Sequence, residues 1–512
     1  MNSVLKLLVV LAAGLMGLFD GNVFAKESDA PSVLRVAVPG RPPGLGNPYS
    51  SLPIGAINHN HILYDALTIV GDKGVMLPAL ALMWEPAGDM SWVFTLRPGV
   101  TFSNGEAFNA QTVVDVVAYL RSEKAAGYLV AGETAMIDSA TVINELTVRI
   151  DTNRPDAILP KRMSFVYMVA MEYLEAVGMD AFGLSPVGSG PFKLKDWGQR
   201  TGTYVLERNP NSWRDNDNFD EIHFTAVGDV TARAQSILSG QMDLSFKLSL
   251  DLLTDLSAAG FKTLARPTYS VGAWAFHQVD DQSPVSDVRV RRALNMAIDR
   301  EGIAATILSG VSQPVSQVAT ADVYGYAPDI PLFPYDPEAA RALLDSAGYG
   351  DGLELRAVVR SDPSVPESSL IYQVLAQNLA AIGVEVELDP VPGQRWLIMY
   401  FSGDWDGADI LDTSFNNSIH GDAIRSIETA SCLKAGAYFC NEALMPLIEA
   451  SNRDFDPLSR EKKLQKLVKA LHFDPPALYL FPYFDTLGYS PRLNELPVTG
   501  QRVELESVTV RE

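Results

Sequence analysis

The stretch from Asp404 to Asp412, DWDGADILD, has the densest group of acidic side chains in the sequence. Carboxylates at close spacing can bind calcium, or can act as acid and base on the two sides of a glycosidic bond. The stretch does not follow the EF-hand pattern, because Gly407 is out of place and Phe415 stands where the bidentate glutamate belongs. No spacing in the sequence sets two carboxylates across a sugar, so a secreted hydrolase that uses this cluster is an alternative and not the expectation.

Other motifs that would indicate catalysis or metal binding are absent from the sequence or incomplete. There is no Gly-x-x-x-x-Gly-Lys-Ser/Thr loop for nucleotide phosphates. Gly188-Ser189-Gly190 lacks the spacing of a nucleophile elbow and is expected to form a turn. His59 and His61 could chelate a metal together only on an extended segment, because helical residues two apart face different ways. We therefore expect no catalysis, no cofactor and no metal site.

The helices and strands that must position these side chains have clear local signals. Residues 92–96 alternate in the manner of a strand. Asp336, Pro337 and Gly348 are placed as the N-cap, the first residue and the end of a helix. Asn109 is placed to cap another helix. The apolar positions of that helix recur on one face, at Ala110, Val113, Val114, Val117 and Leu120.

The segment from 353 to 388 predicts the fold class. Residues 353–359 and 384–388 have the pattern of strands, and residues 369–382 between them have the pattern of a helix. A strand, a helix and a strand in this order form a parallel pair in an α/β domain. We therefore predict an α/β protein with a partly parallel sheet.

The start of the chain and its charge indicate export and limit the partners. Lys6, an apolar run from Leu7 to Phe19 and a small-residue site at Ala25 together predict a cleaved secretory signal over residues 1–25. The formal net charge of the 512 residues is −22. A surface this acidic repels nucleic acid and anionic lipid, so we expect neither as a partner.

The two cysteines, Cys432 and Cys440, lie close together in the sequence. A disulfide that closes a small loop is expected in an oxidising compartment. Two unpaired thiols are the alternative. A zinc pair is disfavoured, because neither a Cys-x-x-Cys motif nor clustered histidines accompany the cysteines.

A set of motifs at fixed spacing extends over nearly the whole chain after the predicted signal. In chain order they include Tyr64-Asp65-Ala66-Leu67, Pro78-Ala79-Leu80-Ala81, Trp92-x-Phe94-x-Leu96-Arg97-x-Gly99, Asn104-Gly105-Glu106-x-Phe108, Gly188-Ser189-Gly190-Pro191-Phe192, Leu206-Glu207-Arg208-Asn209-Pro210, Asp287-Val288-Arg289-x-Arg291 and Tyr335-Asp336-Pro337. Together they resemble the peptide/nickel class of periplasmic solute-binding proteins, the ligand-capturing components of ABC importers.

The resemblance implies a two-lobed α/β fold with a ligand cleft between the lobes, the class II periplasmic-binding-protein type with an extra domain. Domain I, the first lobe, would comprise residues 26–67, 186–275 and 486–512. Domain II, the extra domain packed on the first lobe, would comprise 68–185, and domain III, the second lobe, 276–485. Two crossover segments would join the lobes, so closure on the ligand would be a hinge motion.

The resemblance also implies where the ligand binds. In peptide-binding members an aspartate of the third domain pairs with the α-amino group of the peptide, and Asp409 and Asp412 are the candidates here. Arg360 lies near the position of an arginine that binds the ligand carboxylate, and a surface arginine that ends a strand is the alternative. For Tyr49 the alternative is a turn tyrosine packed on the surface. The other candidate ligand contacts are Asn47, Trp274, Phe276, Trp396, Trp405, Asp406, Phe415 and Asn416.

From this resemblance we expect a periplasmic solute-binding protein without turnover, with a di- or oligopeptide as the first choice of ligand. The acidic stretch lacks the Gly-Asp-x-Asp-Pro-like form common in peptide-binding members. A nickel chelate, an oligosaccharide and an opine-like compound therefore stay open as ligands, as does sensing in place of uptake. The expected partners are the ligand and the permease subunits of an ABC transporter, and the chain is expected to be a monomer.

Overall fold

The structure is a computed structural model that describes residues 31–50, 57–361, 366–434 and 436–511. The signal predicted at residues 1–25 lies outside these residues. Within them, no helix combines the length and the apolar character that crossing a membrane requires.

The described chain is a mixture of strands and helices. The strands are β1 (Val33–Val38), β2 (Asp65–Ala66), β3 (Thr68–Val70), β4 (Met76–Pro78), β5 (Ala81–Pro86), β6 (Ser91–Leu96), β7 (Ile137–Asn144), β8 (Thr147–Thr152), β9 (Tyr167–Met168), β10 (Phe192–Asp196), β11 (Thr203–Arg208), β12 (Glu221–Ala226), β13 (Leu244–Phe246), β14 (Lys262–Phe276), β15 (Leu353–Arg360), β16 (Val384–Val391), β17 (Ile410–Asn416), β18 (Ala477–Tyr489), β19 (Val498–Thr499) and β20 (Arg502–Val503). The helices are α1 (Ile57–Leu63), α2 (Ala110–Arg121), α3 (Leu129–Glu133), α4 (Leu159–Arg162), α5 (Met171–Val177), α6 (Met179–Leu184), α7 (Val230–Leu238), α8 (Leu250–Ala258), α9 (Val288–Met296), α10 (Arg300–Thr306), α11 (Pro337–Ala347), α12 (Ser368–Ala380), α13 (Gly393–Ser402), α14 (Ile424–Ala430), α15 (Met445–Asn452) and α16 (Pro457–Phe473).

A ten-stranded sheet organises the fold. Its strand order is β10-β11-β12-β1-β13-β18-β14-β17-β15-β16. β15 and β16 are parallel and α12 connects them, which confirms the predicted strand, helix and strand. A separate four-stranded sheet, β5-β6-β8-β7, is formed by the segment assigned to domain II. The predicted α/β class is confirmed.

Two long strands carry the chain between the two ends of the ten-stranded sheet. β14 pairs with β18 from Lys262 to Pro267 and again from Val271 to Ala275, and the register shifts between these stretches. The first stretch lies beside β13 and the second beside β17. We call the strands on the β13 side the first half, with the segment 68–185 packed on it, and the strands on the β17 side the second half. The halves meet where the pairing of β14 with β18 is interrupted, at residues 268–270.

The helix ends follow the local signals in the sequence. The side chain of Asn109 accepts hydrogen bonds from the backbone N–H groups of Gln111 and Thr112 at the start of α2. The side chain of Asp336 accepts one from Ala339 N–H, 2.9 Å away, at the start of α11. Gly348 ends α11 with a φ of 96°, a left-handed conformation that glycine adopts without a steric cost. The predicted caps are confirmed.

A group of buried ion pairs joins the segment 68–185 to the second half. Lys161 Nζ lies 3.1 Å from Asp422 Oδ2, and Arg162 Nη2 lies 2.8 Å from Glu428 Oε2. Arg460 Nη1 lies 2.7 Å from the same Oδ2 of Asp422. Charges out of water are tolerated when they are paired and hydrogen-bonded, and removing one partner is costly. Because these partners come from both halves, the ion pairs stabilise the arrangement in which the halves touch.

These ion pairs predict a dependence of stability on pH. Burial by itself would raise the pKa of Asp422, but the positive charges of Arg460 and Lys161 hold that pKa well below its ordinary value. A folded-state pKa below the unfolded value, which is about 3.9, contributes stability above that value that is lost as the pH falls. We expect the free energy of unfolding, measured with urea, to fall on acidification below about pH 4.

The Asp422→Asn variant separates this effect from general acid denaturation. It should lose stability at pH 7, on the order of 3 kcal/mol, because Arg460 keeps a buried charge without its partner. The free energy of unfolding of the variant should also depend less steeply on pH than that of the parent protein. Asp322→Asn is the matched control, since Asp322 is exposed. An equal pH slope for the parent and for Asp422→Asn would contradict the assignment.

Candidate functional site

A cavity of about 320 Å³ lies where the two halves meet. Thr268 and Ser270 of β14 and Tyr483 of β18 line it at the crossing. The second half adds side chains from β15, α13, β17 and α14, and the segment 68–185 adds two from α3. The principal contributors to the rest of the wall are Leu129, Glu133, Lys247, Arg360, Trp396, Tyr400, Phe401, Ser414, Asn416, Arg425, Asp485 and Gln501.

The charged side chains of the cavity wall are paired within the protein. Arg425 Nη2 lies 2.8 Å from Glu133 Oε1, and this pair joins the second half to the segment 68–185. Lys247 Nζ lies 2.6 Å from Asp485 Oδ1. Arg360 pairs with Asp412, which does not itself line the cavity. A charged ligand therefore meets an array of fixed charges whose orientation is already set, which lowers the cost of ordering the site on binding.

Arg360 ends β15 and presents its guanidinium to the cavity. Its Nε donates to Asp412 Oδ2 at 3.0 Å, and the guanidinium carbon lies 4.7 Å from the centroid of the Trp396 ring. Burial by itself would lower the pKa of Arg360, but Tyr483 and Asp412 raise it above its ordinary value. Arg360 is therefore a permanent cation in the wall of the cavity.

Arg360 and Asp412, which the resemblance assigned to opposite ends of a ligand, form an ion pair with each other. Asp412 is 2% exposed, does not line the cavity and has its carboxylate against Arg360. Asp409 accepts from the hydroxyl of Ser283 at 2.5 Å and from Arg356 N–H at 3.0 Å, again outside the cavity wall. Protein donors thus hold both carboxylates, and a contact of either aspartate with an α-amino group stays a prediction.

Of the other predicted contacts, Trp396 and Asn416 line the cavity together with Arg360. Trp396 Nε1 donates to the carbonyl oxygen of Asp412 at 2.6 Å, and the ring stacks on Tyr400 with centroids 5.0 Å apart. The side-chain oxygen of Asn416 accepts from the hydroxyl of Ser270 at 3.0 Å, which links β17 to β14 beside the cavity. Arg360 and Trp396 thus form one part of the wall, and Asn416 lies in it beside Ser270.

The remaining predicted contacts lie away from this cavity. Tyr49 is buried in the core, neither at the cavity nor on the surface, and its hydroxyl donates to Tyr167 O at 2.8 Å. Asn47 accepts from Tyr49 N–H in the same turn. Asp406 is exposed and pairs with Arg395. The large aromatic residues of the set are buried in hydrophobic cores, namely Trp274, Phe276, Trp405 and Phe415.

The wall also contains charged residues that local sequence patterns did not single out. Glu133 and Arg425 are brought together by the fold from positions 292 apart in the chain. Lys247 directly follows β13, where its φ of 58° is unusual for a residue other than glycine. Such unusual backbone conformations are enriched at binding sites, but they are not visible in a sequence.

Two further groups that could be functional have structural partners. His61, Glu504 and Glu506 offer atoms within 4.8 Å of one another, a spacing that could hold a metal ion. Arg214 Nη1 donates to His61 Nε2 at 2.6 Å and to Glu506 at 2.7 Å, so these atoms are engaged by a cation of the protein. Cys432 and Cys440, which follow α14, form a disulfide.

Two halves joined by two strands, with a cavity enclosed between them, are the arrangement of a solute-binding protein that closes on its ligand. The family model described as bacterial extracellular solute-binding proteins, family 5 Middle, matches residues 76–418. The chain belongs to this family. The resemblance found in the sequence and the predicted two-lobed α/β fold are both confirmed.

Individual relatives and structures are also similar to the chain. Heme-binding protein A of Haemophilus influenzae is 28% identical over 337 residues, which cover 60% of this chain and 60% of that protein. Probable di/tripeptide-binding protein 5 of Pseudomonas aeruginosa is 26% identical over 399 residues, 72% of this chain and 74% of that protein. The periplasmic binding protein DppA of Helicobacter pylori, solved with the peptide STSA, has a TM-score of 0.80 at 20% identity and covers 94% of this chain and 98% of its own.

The pairing of Arg360 with Asp412 predicts a structural role for this aspartate. In Asp412→Asn the ligand-free protein should lose about 3 kcal/mol of unfolding free energy, because the buried guanidinium loses its counter-charge. Urea denaturation measures the loss. Asp404→Asn is the control, since Asp404 is exposed in the same acidic stretch. Equal stability of the two variants would argue that Asp412 is free to serve a ligand.

Two backbone segments also approach each other closely where the segment 68–185 meets the second half. A Cβ atom at Gly74 would lie 2.3 Å from the carbonyl oxygen of Gly421, which is in the second half. In Gly74→Ala the halves should therefore be unable to meet fully, and small-angle X-ray scattering should give a larger radius of gyration than for the parent protein. Gly99→Ala controls for the left-handed backbone, because Gly99 has a φ of 74° and open space around its Cβ position. Equal radii for the two variants would contradict the contact.

Proposed function

We propose that this protein captures a short peptide in the cavity between its halves and delivers it unaltered to the permease of an ABC importer. The observation that carries the proposal is the composition of the cavity wall. A peptide has an amine, a carboxylate and a row of amide groups. The wall offers carboxylates, guanidinium groups, hydroxyl and amide groups and aromatic rings within one cavity of about 320 Å³.

The name of the relative from P. aeruginosa and the peptide in the H. pylori structure support a peptide as the ligand. An importer supplies a reason for two halves that meet around a cavity: a permease can recognise the closed form, which the ligand stabilises. Such a protein acts outside the cytoplasm, as the family's description states. Neither proteolysis nor glycoside hydrolysis is part of the proposal, since Asp409 and Asp412 are held by protein donors.

Asp485 is the residue we propose for the α-amino group of the peptide. It lines the cavity, and its side chain is 27% exposed, whereas that of Glu133 is 11% exposed. Its partner Lys247 has a flexible side chain that can move aside and keep its charge in water. An ammonium group in a cavity needs an acidic partner of this kind, because an unpaired buried charge is costly.

A variant at Asp485 tests both the peptide and its orientation. In Asp485→Asn the affinity for a tripeptide such as Ala-Ala-Ala should fall by about 1.5–3 kcal/mol, as for the loss of a hydrogen bond to a charged group. N-acetylation of the peptide should weaken binding to the parent protein and remove the effect of the variant. Isothermal titration calorimetry gives the affinities, and mass spectrometry of the recovered peptide shows whether it stays intact.

Asp409→Asn is the matched control, since Asp409 lies outside the cavity wall and should leave the affinity unchanged. A fall in affinity for Asp409→Asn without one for Asp485→Asn would refute the new anchor but not peptide capture. Absence of binding across a mixed di- and tripeptide set would refute the proposed function. Repeated cleavage of the peptide would favour the hydrolase.

A further inference from the structure

A second cavity, of about 330 Å³, lies in the first half next to the cavity between the halves. It is lined by residues 38–43, which end β1 and follow it, and by aromatic side chains from β11, β12 and β13. Lys247, Asp485 and Gln501 line both cavities. The two cavities are therefore neighbours, with the Lys247–Asp485 pair at their common border.

The second cavity is basic. We call it the basic pocket, defined by Arg41, His59, Lys247 and Arg266 in its wall. Among the described residues that line the pocket, Asp485 is the acidic one. With His59 neutral, the described residues of the wall include three cations and one carboxylate, in a chain whose formal net charge is −22. A local positive potential inside an acidic protein concentrates anions at this place.

The two arginines of the basic pocket are held by carbonyl groups and not by carboxylates. Arg41 Nη2 donates to Gly198 O at 2.5 Å, and Arg266 Nη1 donates to Gly500 O at 2.9 Å. Among the residues that the structure describes, no carboxylate oxygen lies within 4.0 Å of either guanidinium group, so neither arginine forms an ion pair there. This differs from the cavity between the halves, where Arg425, Lys247 and Arg360 each have an acidic partner.

His59 adds a buried polar group that has no partner. It is 5% exposed, and neither ring nitrogen has a hydrogen-bond partner among the residues that the structure describes. Its ring lies edge-on to Tyr204, with centroids 5.4 Å apart, and close to Trp197 and Phe224. Burial lowers the pKa of His59 to about 3, so the imidazole is neutral and has one N–H to donate. Buried donors are normally satisfied, and an oxygen of a ligand could satisfy this one.

The positive charge of Arg266 is also only partly compensated within the protein. Burial lowers the pKa of Arg266, and the attraction of Asp485 and, less strongly, of Asp72 offsets this only in part. An anion beside Arg266 would supply the missing counter-charge. A carboxylate suits a guanidinium because it accepts two parallel hydrogen bonds.

We propose that the basic pocket binds a second carboxylate of the ligand, so that the captured peptides are acidic. This inference rests on the proposed function and specifies its ligand class. A peptide with neutral side chains has one amine and one carboxylate, which the paired charges between the halves can accommodate. The additional cations, Arg41 and Arg266, call for an additional anion, which a glutamate or aspartate side chain supplies.

The test compares peptides that differ by one charge at constant shape. Ala-Ala-Glu is compared with Ala-Ala-Gln, and Glu-Ala-Ala with Gln-Ala-Ala, by isothermal titration calorimetry on the full chain. In at least one pair the parent protein should bind the glutamate peptide about tenfold more tightly. Arg266→Gln and, independently, Arg41→Gln should reduce this preference to below about threefold while leaving the binding of the glutamine peptide nearly unchanged.

Lys193→Gln is the matched control, because Lys193 lies on β10 outside both cavities and pairs with Glu207 at 3.3 Å. The Lys193→Gln variant should keep the full preference for the glutamate peptide over the glutamine peptide. Equal binding of glutamate and glutamine peptides, or a preference that both arginine variants retain, would overturn the basic pocket and leave peptide capture standing. Binding of none of the four peptides, nor of a mixed peptide set, would overturn the proposed function and this inference together.

Discussion

Buried charge is the constraint on which this structure depends. The segment 68–185 meets the second half through Lys161, Arg162 and Glu133, and each has an opposite charge from the second half within 3.1 Å. Such contacts are favourable only when both partners are in place, since an unpaired buried charge costs several kcal/mol. The ion pairs therefore favour one relative position and orientation of the two halves. A hydrophobic interface of the same size would tolerate sliding, because the hydrophobic effect is not directional.

The same constraint governs the cavity between the halves. Its cations are anchored by acidic side chains, so a ligand enters a site that is already charged, oriented and compensated. This arrangement suits a protein that must bind and release a solute. Each ligand contact replaces a contact with water or rearranges an internal pair, so that net affinity is a modest difference between large terms. The basic pocket departs from this pattern, and for that reason it indicates what the ligand carries.

Arg360 and Asp412 show that a residue predicted to contact a ligand can already have a partner within the protein. The resemblance assigns the two residues to opposite ends of a ligand, and the fold pairs them with each other. Which charged side chains face the cavity therefore depends on the fold of this chain and not on the motifs alone. Lys247, Asp485, Arg41 and Arg266 form the more informative part of the site, and they come from the first half and from β18 near the crossing.

The amino-acid sequence by itself determined the local structure and the family. Asn109 and Asp336 cap their helices through contacts three residues away or fewer, and the pair β15 and β16 follows from periodicity, because these signals act over short distances. The tertiary structure decided which side chains face the cavity. On β17, Asn416 faces it while the adjacent Phe415 packs in a core, and Glu133 meets Arg425 across 292 positions. Which face of a strand is enclosed, and which distant charge lies opposite, depends on how the two halves pack, and no local pattern records that.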